Sequence, residues 1–215
     1  KLQISIILPT YNCEYTLRSI RSVIDQTYKS WELIVIDNYS KNNIKEKVAK
    51  FNDSRIKYFR IRNKGIIGKS RNFGIKKSKF SWIAFLDSDD YWSKNKLAYV
   101  VKNIKNYKQD LYYHHMWIHY SDNKIIKKKL YNGNLRLNKP IFDNLILNGN
   151  KIPQSSVVVK KYLVKKAGYL SEKKDFVTWE DFDLWIKISK ITDKFYCINR
   201  PLGFYWVNNE KFNKF

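Results

Sequence analysis

The chain has 215 residues, of which 44% are hydrophobic and 16% aromatic, with only 7 Gly and 4 Pro. This composition excludes collagen-like, low-complexity and disordered proteins and predicts a globular chain with a substantial core. Charge is the unusual feature, because 42 Lys and Arg against 19 Asp and Glu give a net charge of +23. Such a field attracts polyanions or an anionic bilayer. A coding bias toward Lys explains the same excess, and the composition leaves both explanations open.

The cysteine content and the hydropathy of the chain indicate the cellular compartment in which the protein is expected to lie. Cys13 and Cys197 are too few for a disulfide framework, so we expect a reducing compartment such as the cytoplasm. The apolar runs are far shorter than the roughly 20 residues of a membrane span, and no signal peptide is recognisable. Because the chain begins with Lys1 rather than Met, we expect the natural protein to extend further, and a C-terminal membrane-binding segment would be compatible with that.

Short apolar strands alternate with amphipathic helices in the first half of the chain. The pattern predicts strands at 4–8, 33–36, 55–60 and 82–86, helices at 17–24, 44–51 and 65–79, and a further helix that begins near Ser93. This alternation favours an α/β fold with a mostly parallel, doubly wound sheet. Ligands of such sheets bind at the carboxyl ends of the strands.

The second half of the sequence is richer in aromatic residues and has a pattern more typical of strands. It predicts strands at 111–120, 124–130 and 156–159 and helices at 140–147 and 181–190. No linker separates the halves, so we expect one domain over 1–215. Its first half, 1–110, is expected to bind a nucleotide, and its second half, 111–215, a substrate.

Three acids follow the predicted strand 82–86. Asp87 and Asp89 lie two residues apart, so in extended backbone their side chains project the same way. Two such carboxylates suit Mg²⁺ or Mn²⁺, with phosphate oxygens completing the coordination. The same three residues, including Asp90, could instead form a turn that caps the following helix. The motif alone does not decide between a metal site and such a cap.

Basic residues surround the start of the predicted helix 65–79. Lys64, Lys69 and Arg71 lie there, and backbone amides at a helix start suit a phosphate or the polar edge of a base. Neither a G-x-G-x-x-G fingerprint nor a Walker loop is present. A solvated basic helix start is an equally good explanation.

Acids also cluster at the start of the predicted helix 181–190. Thr178 and Asp181 match the spacing of a capping box, and acids in a first turn suit the helix dipole. The functional alternative is a general base held at a helix N-terminus beside aromatic surfaces.

Three histidines, His114, His115 and His119, lie within the predicted strand 111–120. In a strand His115 and His119 are more than about 10 Å apart, at about 3.3 Å per residue. This favours a structural or acceptor-facing role over a zinc site.

Five segments, in this order and spacing, resemble glycosyltransferase family 2. They are ISIILPTYN at 4–12, VIDNYS at 35–40, NKG at 63–65 with SRNFG at 70–74, FLDSDD at 85–90 and WEDFDLW at 179–185. The resemblance spans nearly the whole chain. It implies a GT-A type, Rossmann-like fold with flanking helices, a nucleotide-diphosphate sugar donor, most often UDP-linked, and inversion at the anomeric carbon with a divalent cation, Mg or Mn.

The resemblance also implies roles for single residues. Asp89 would hold the metal, and Asp181 would be the catalytic base. Asp37 would read the uracil edge. The other nucleotide-binding residues would be Thr10, Tyr11, Lys64, Arg71, Asp87 and Ser88. The acceptor would be contacted or oriented by Trp179, Glu180 and Asp183.

Three departures from the family pattern are visible. Asn38 stands where a second Asp is usual, and Ser70 replaces a common Ala. Trp206 and Asn208 stand where members often carry Arg and His, which argues against a late histidine contact to metal or diphosphate.

The expected activity is sugar transfer to a glycan or a lipid-phosphate-linked acceptor in lipopolysaccharide or capsule synthesis. The expected location is cytoplasmic and peripheral on the inner membrane, whose anionic surface is a further expected partner. A basic nucleic-acid-binding domain and a sugar nucleotidyltransferase are the alternatives. Nucleic acid is not expected as a partner, because no recognition motif is present and the acids cluster where phosphates would be repelled. The loop at 9–12 lacks the Gly-rich sequence that a nucleotidyltransferase needs.

Overall fold

The computed structural model describes residues 2–120, 130–131 and 135–207. In the first half, strands and helices alternate as the sequence predicts. The elements are β1 (Ile4–Thr10), α1 (Thr16–Ile24), β2 (Trp31–Asp37), α2 (Ile44–Ala49), β3 (Ile56–Arg60), α3 (Ile67–Lys77), β4 (Trp82–Phe85), β5 (Tyr91–Trp92) and α4 (Lys96–Tyr107).

The second half completes the sheet and adds three helices. Its elements are β6 (Leu111–Tyr120), α5 (Ile141–Asn148), β7 (Val158–Lys160), α6 (Lys161–Lys166), α7 (Glu180–Ser189) and β8 (Phe195–Val207). Two 3-10 turns, Gln154–Ser156 and Lys174–Phe176, precede β7 and α7. No described helix is both long enough and apolar enough to cross a membrane.

The strands form one mixed sheet in the order β3-β2-β1-β4-β7-β6-β8-β5. Strands β1 to β4 are mutually parallel, and β7 runs antiparallel between β4 and β6. The last residues of β1 and β2, Thr10 and Asp37, are register partners. The carboxyl ends of the parallel strands therefore meet at one edge, as the doubly wound prediction requires.

Helices cover both faces of the sheet, which explains the unbroken apolar runs of β1 and β2. Along β1, Ile6 packs with α1 and α4 on one face, whereas Ile7 packs with α3 and α7 on the other. Every residue of β1 and β2 is buried. This parallel core fixes the edge at which a ligand can bind.

The differences from the predicted elements are local. Strand β5 has two residues, too few to show a period, and α4 begins at Lys96 rather than near Ser93. The predicted strand at 156–159 is a 3-10 turn followed by β7. Of the predicted strand at 124–130, residues 124–129 lie outside the described residues, and Leu130 forms an isolated bridge with Trp117.

One lysine is buried at the start of α4. Lys96 has no exposed surface, and its Nζ lies 3.5 Å from the centroid of the Trp92 ring. That nitrogen has no hydrogen-bond partner within the described part of the chain. Burial lowers the pKa of Lys96 well below its usual value. Burial and the neighbouring Lys96 likewise lower the pKa of His114 to about 3.

Replacing Lys96 by Met should therefore stabilise the fold. We expect a gain of about 1–3 kcal/mol at pH 7, because an unsatisfied buried donor is removed while the side-chain volume is kept. The folded protein binds fewer protons here than the unfolded chain, so wild-type stability rises with pH toward the unfolded pKa of about 10.4. The advantage of Lys96→Met in urea unfolding should shrink from pH 7 to pH 10. A less stable variant at pH 7 would contradict this account.

Candidate active site

A cavity of about 240 Å³ opens at the carboxyl ends of β1 and β2. Thr10, Tyr11, Asn38 and Ser88 line it, together with the start of α3. An adjacent cavity of about 340 Å³ shares Tyr11 and Asn38 and adds Lys64. Four of the predicted nucleotide-binding residues, Thr10, Tyr11, Ser88 and Lys64, therefore line neighbouring cavities at the predicted edge.

Asp37 does not line either cavity. Its carboxylate accepts hydrogen bonds from the Ser40 amide at 2.9 Å and from Tyr58 Oη at 2.6 Å. Burial and this carboxylate raise the pKa of Tyr58, so the phenol stays a donor. Asn38 stands on the cavity wall instead, and its Oδ1 accepts a hydrogen bond from the Asn63 amide at 3.0 Å. The role of Asp37 in reading the base therefore stays a prediction, for a carboxylate that Ser40 and Tyr58 hold in place.

Arg71 lies on α3 and is almost fully buried. Its Nη2 donates to Asp87 Oδ1 at 2.6 Å, and its Nη1 donates to Glu180 Oε1. Burial alone would lower the pKa of Arg71, but the two carboxylates outweigh it and raise the pKa above its usual value. Arg71 was predicted to support the nucleotide, yet its direct partners are the turn after β4 and the start of α7.

The turn at 87–90 concentrates three carboxyl groups. Burial and the charge of Asp87 raise the pKa of Asp89 to about 6. Burial and the other two carboxylates also raise the pKa of Asp90, whose Oδ1 accepts the Trp206 amide at 3.0 Å. Asp90 thus anchors the end of β8 to the turn.

The carboxylates of this turn have the chemistry that suits a divalent cation, although they do not form a complete set of protein ligands. Crowded, partly buried carboxylates repel one another, and a bound cation would relieve that repulsion. Carboxylate oxygens are also the ligands that Mg²⁺ and Mn²⁺ prefer. Asp89, with Asp87 beside it, is the residue that would hold the cation. Over the described ranges, no group of three or more His, Cys, Asp or Glu side chains is arranged to hold a metal ion.

Asp181 lies in the first turn of α7. Its Oδ1 accepts the Phe182 amide at 2.6 Å, and its Oδ2 accepts Asn150 Nδ2 at 3.3 Å. Burial raises the pKa of Asp181 to about 6, with Arg71 opposing the shift and Glu180 adding to it. A carboxylate with a pKa near neutrality can take up a proton at physiological pH.

The predicted capping box is wrong. The N-cap of α7 is Trp179, without a side-chain cap, so Asp181 is the second helical residue rather than the third. Thr178 has φ of 78°, in the left-handed region that β-branched residues rarely adopt. Such strain is often found beside functional sites.

The three predicted acceptor residues have different surroundings. Trp179 is 60% exposed and lies two residues before Asp181. Glu180 is buried against Arg71. Asp183 pairs with Lys187 at 2.5 Å on the surface of α7. Only Trp179 therefore presents an open surface to an acceptor.

Several residues of the site lie in no motif that the sequence analysis found. Arg18 of α1 donates to the Asp89 carbonyl and lies 4.6 Å from the ring centroids of both Tyr15 and Tyr91. Ser155 Oγ accepts the Asp87 amide at 3.0 Å. These contacts join residues distant in sequence, so no local pattern could reveal them.

The histidines lie in the core and beside β5. His114 Nδ1 lies 2.8 Å from the His115 carbonyl oxygen, and His119 Nδ1 lies 3.0 Å from Tyr91 Oη. These positions agree with the structural role that the strand prediction favoured.

The mixed sheet, with cavities and carboxylates at the carboxyl ends of its parallel strands, has the architecture of a GT-A type fold. The sequence profile described as Glycosyl transferase family 2 matches residues 5–161. The chain belongs to glycosyltransferase family 2, which confirms the resemblance, the fold class and the enzyme class that the sequence predicted.

Similar proteins include two from Escherichia coli. One is the UDP-Glc:alpha-D-GlcNAc-diphosphoundecaprenol beta-1,3-glucosyltransferase WfgD, which is 34% identical over 98% of this chain and 81% of its own length. WfaP, a glucosyltransferase with the same description, is 31% identical over 86% of this chain and 69% of its own length. Among solved structures, S. aureus TarS 1–349 in complex with UDP-GlcNAc has a TM-score of 0.75 at 22% identity. That likeness covers 96% of this chain and 59% of the TarS fragment.

Proposed function

We propose that this glycosyltransferase moves a sugar from a UDP-sugar to a lipid-linked diphosphate sugar, with a divalent cation and with inversion at the anomeric carbon. The observation that carries the proposal is the arrangement around Arg71. One guanidinium binds both Asp87 of the candidate metal turn and Glu180, the residue before the candidate base Asp181. The UDP-Glc and GlcNAc-diphosphoundecaprenol named for WfgD and WfaP support this choice of substrates.

In this proposal the cavity at the ends of β1 and β2 binds the nucleotide. A cation bound at Asp89 would supply charge neutralisation for the diphosphate that leaves. Asp181 removes the proton of the acceptor hydroxyl while that oxygen attacks the anomeric carbon from the opposite face. Trp179 offers an exposed aromatic surface on which an acceptor sugar can pack.

We further propose that residues 1–215 act as one domain, with 1–110 holding the nucleotide and 111–215 the acceptor. The side-chain bonds of Arg71 and Asn72 to residues 170–180 support this arrangement. Lipopolysaccharide or capsule synthesis is the process that such an acceptor suggests. The acidic turn at the site disfavours the nucleic-acid alternative.

Nucleotide and metal binding test the donor proposal. In thermal unfolding, UDP with Mn²⁺ should stabilise the wild type, because a ligand at a hundred times its Kd adds about 2.7 kcal/mol. Asp89→Ala should lose the Mn²⁺-dependent part of the shift, whereas Asp143→Ala, on the exposed surface of α5, should keep it. An equal shift with and without metal, or none with any nucleotide, would oppose the proposal.

Transfer to a short-chain lipid-diphosphate GlcNAc tests the base. Wild-type kcat/KM should rise with pH and level off above about 6, because Asp181 accepts a proton only when it is ionised. Asp181→Asn should lower kcat at least about 100-fold. Asp143→Asn, which removes an exposed carboxylate from α5, should stay within about threefold of wild type. Full activity of Asp181→Asn would exclude this residue as the base.

We also propose that the enzyme is cytoplasmic and binds the anionic inner-membrane surface through its excess of basic residues. The net charge of +23 supports this step. Binding to vesicles should increase with the fraction of anionic lipid and decrease with salt, as measured by co-sedimentation. Binding that changes neither with the fraction of anionic lipid nor with salt would make coding bias the better explanation of the net charge.

A further inference from the structure

The loop between α5 and β7 runs from the candidate base to the candidate metal turn. At one end Asn150 Nδ2 donates to Asp181 Oδ2 at 3.3 Å. At the other end Ser155 Oγ accepts the Asp87 amide at 3.0 Å, and the Ser155 carbonyl accepts Trp92 Nε1 at 2.8 Å. Gln154 is the residue before Ser155, at the carboxyl end of β4. The loop is thus fixed at both ends to residues of the site.

Gln154 has a buried amide that lacks partners. The residue is 6% exposed, and neither its Oε1 nor its Nε2 has a hydrogen-bond partner among the residues that the structure describes. Buried side-chain amides are nearly always paired with protein, water or a ligand. A buried amide on a 3-10 turn without a protein partner therefore points to a ligand or a water molecule.

Gln26 is a buried glutamine with a structural role and serves as a comparison for Gln154. It is fully buried, and its Nε2 donates to the carbonyls of Ser22 and Ser93. Its Oε1 accepts the Leu97 amide at 2.9 Å. The two residues share type and burial and differ in pairing, so burial alone does not explain Gln154.

The chemistry of the amide selects the ligand class. A side-chain amide has both donors and an acceptor, which together match hydroxyl groups. A phosphate only accepts, so it would leave Oε1 unpaired. In the proposed function, on which this inference rests, the transferred sugar must lie between the diphosphate near Asp87 and the acceptor hydroxyl near Asp181. The loop that carries Gln154 spans that interval.

We propose that Gln154 binds hydroxyl groups of the transferred sugar and is a specificity-determining residue for the donor. Buried polar groups that pair with a substrate hydroxyl reject analogues that lack it, because the amide is then left unpaired. We expect the nucleotide itself to make no contact with Gln154, because Gln154 lines neither of the two cavities at the ends of β1 and β2.

The test compares Gln154→Met with Gln26→Met. Isothermal titration with Mn²⁺ measures the Kd of UDP, UDP-glucose and UDP-GlcNAc for each protein. We expect Gln154→Met to keep the Kd of UDP within about twofold and to weaken at least one UDP-sugar tenfold or more. Its melting temperature should equal or exceed that of the wild type. Gln26→Met should melt at a lower temperature and keep the wild-type ratio of UDP-sugar to UDP affinity.

Two results would overturn the inference while leaving the proposed function standing. Gln154→Met could keep both UDP-sugar affinities at the wild-type level, which would assign the amide to a buried water. The variant could instead bind UDP and the UDP-sugars more weakly by the same factor, which would make Gln154 a structural residue of the nucleotide site. Failure of the wild type to bind UDP at all would overturn the proposed function and this inference together.

Discussion

One buried guanidinium connects the parts of this enzyme. Arg71 binds Asp87, which follows a strand of the first half, and Glu180, which begins a helix of the second half. A buried charge is tolerated only when it is paired, so the three groups must stay together in the folded state. Asp89 and Asp181 lie within two residues of these partners. The ion pairs therefore set the distance between the candidate metal turn and the candidate base.

The sequence around Arg71 allows α3 to occupy this central position. A Cβ on Gly74 would lie 2.7 Å from the Ile36 side chain, so a larger residue would force the helix or that side chain to shift. A Cβ on Gly68 would lie 2.2 Å from the Ser171 carbonyl, where α3 meets the second half. Asn72 adds side-chain hydrogen bonds to the backbone of Leu170. These residues place α3 where its arginine can reach both carboxylates.

The sequence predicted the alternating elements and the edge where the site forms, because apolar periodicity and parallel-sheet topology determine both. It could not show that Asn38 lines the cavity while Ser40 and Tyr58 hold Asp37, since successive residues at a strand end face opposite ways and only the fold decides which one meets the cavity. The spacing of Thr178 and Asp181 predicted a cap, but the left-handed backbone at Thr178 moved the helix start. Gln154 and Ser155 carry no local signal, because their role depends on residues distant in the chain.

A double-mutant cycle on the unfolding free energy tests the central role of Arg71 most directly. Arg71→Met should cost about 3–5 kcal/mol, because it leaves Glu180 buried without its partner. Glu180→Gln removes the negative charge of the same ion pair. If the ion pair joins the two halves, the double variant should be less destabilised than the sum of the single variants by at least about 1 kcal/mol. Additivity within about 0.5 kcal/mol would show that the two residues do not stabilise each other and would contradict the account.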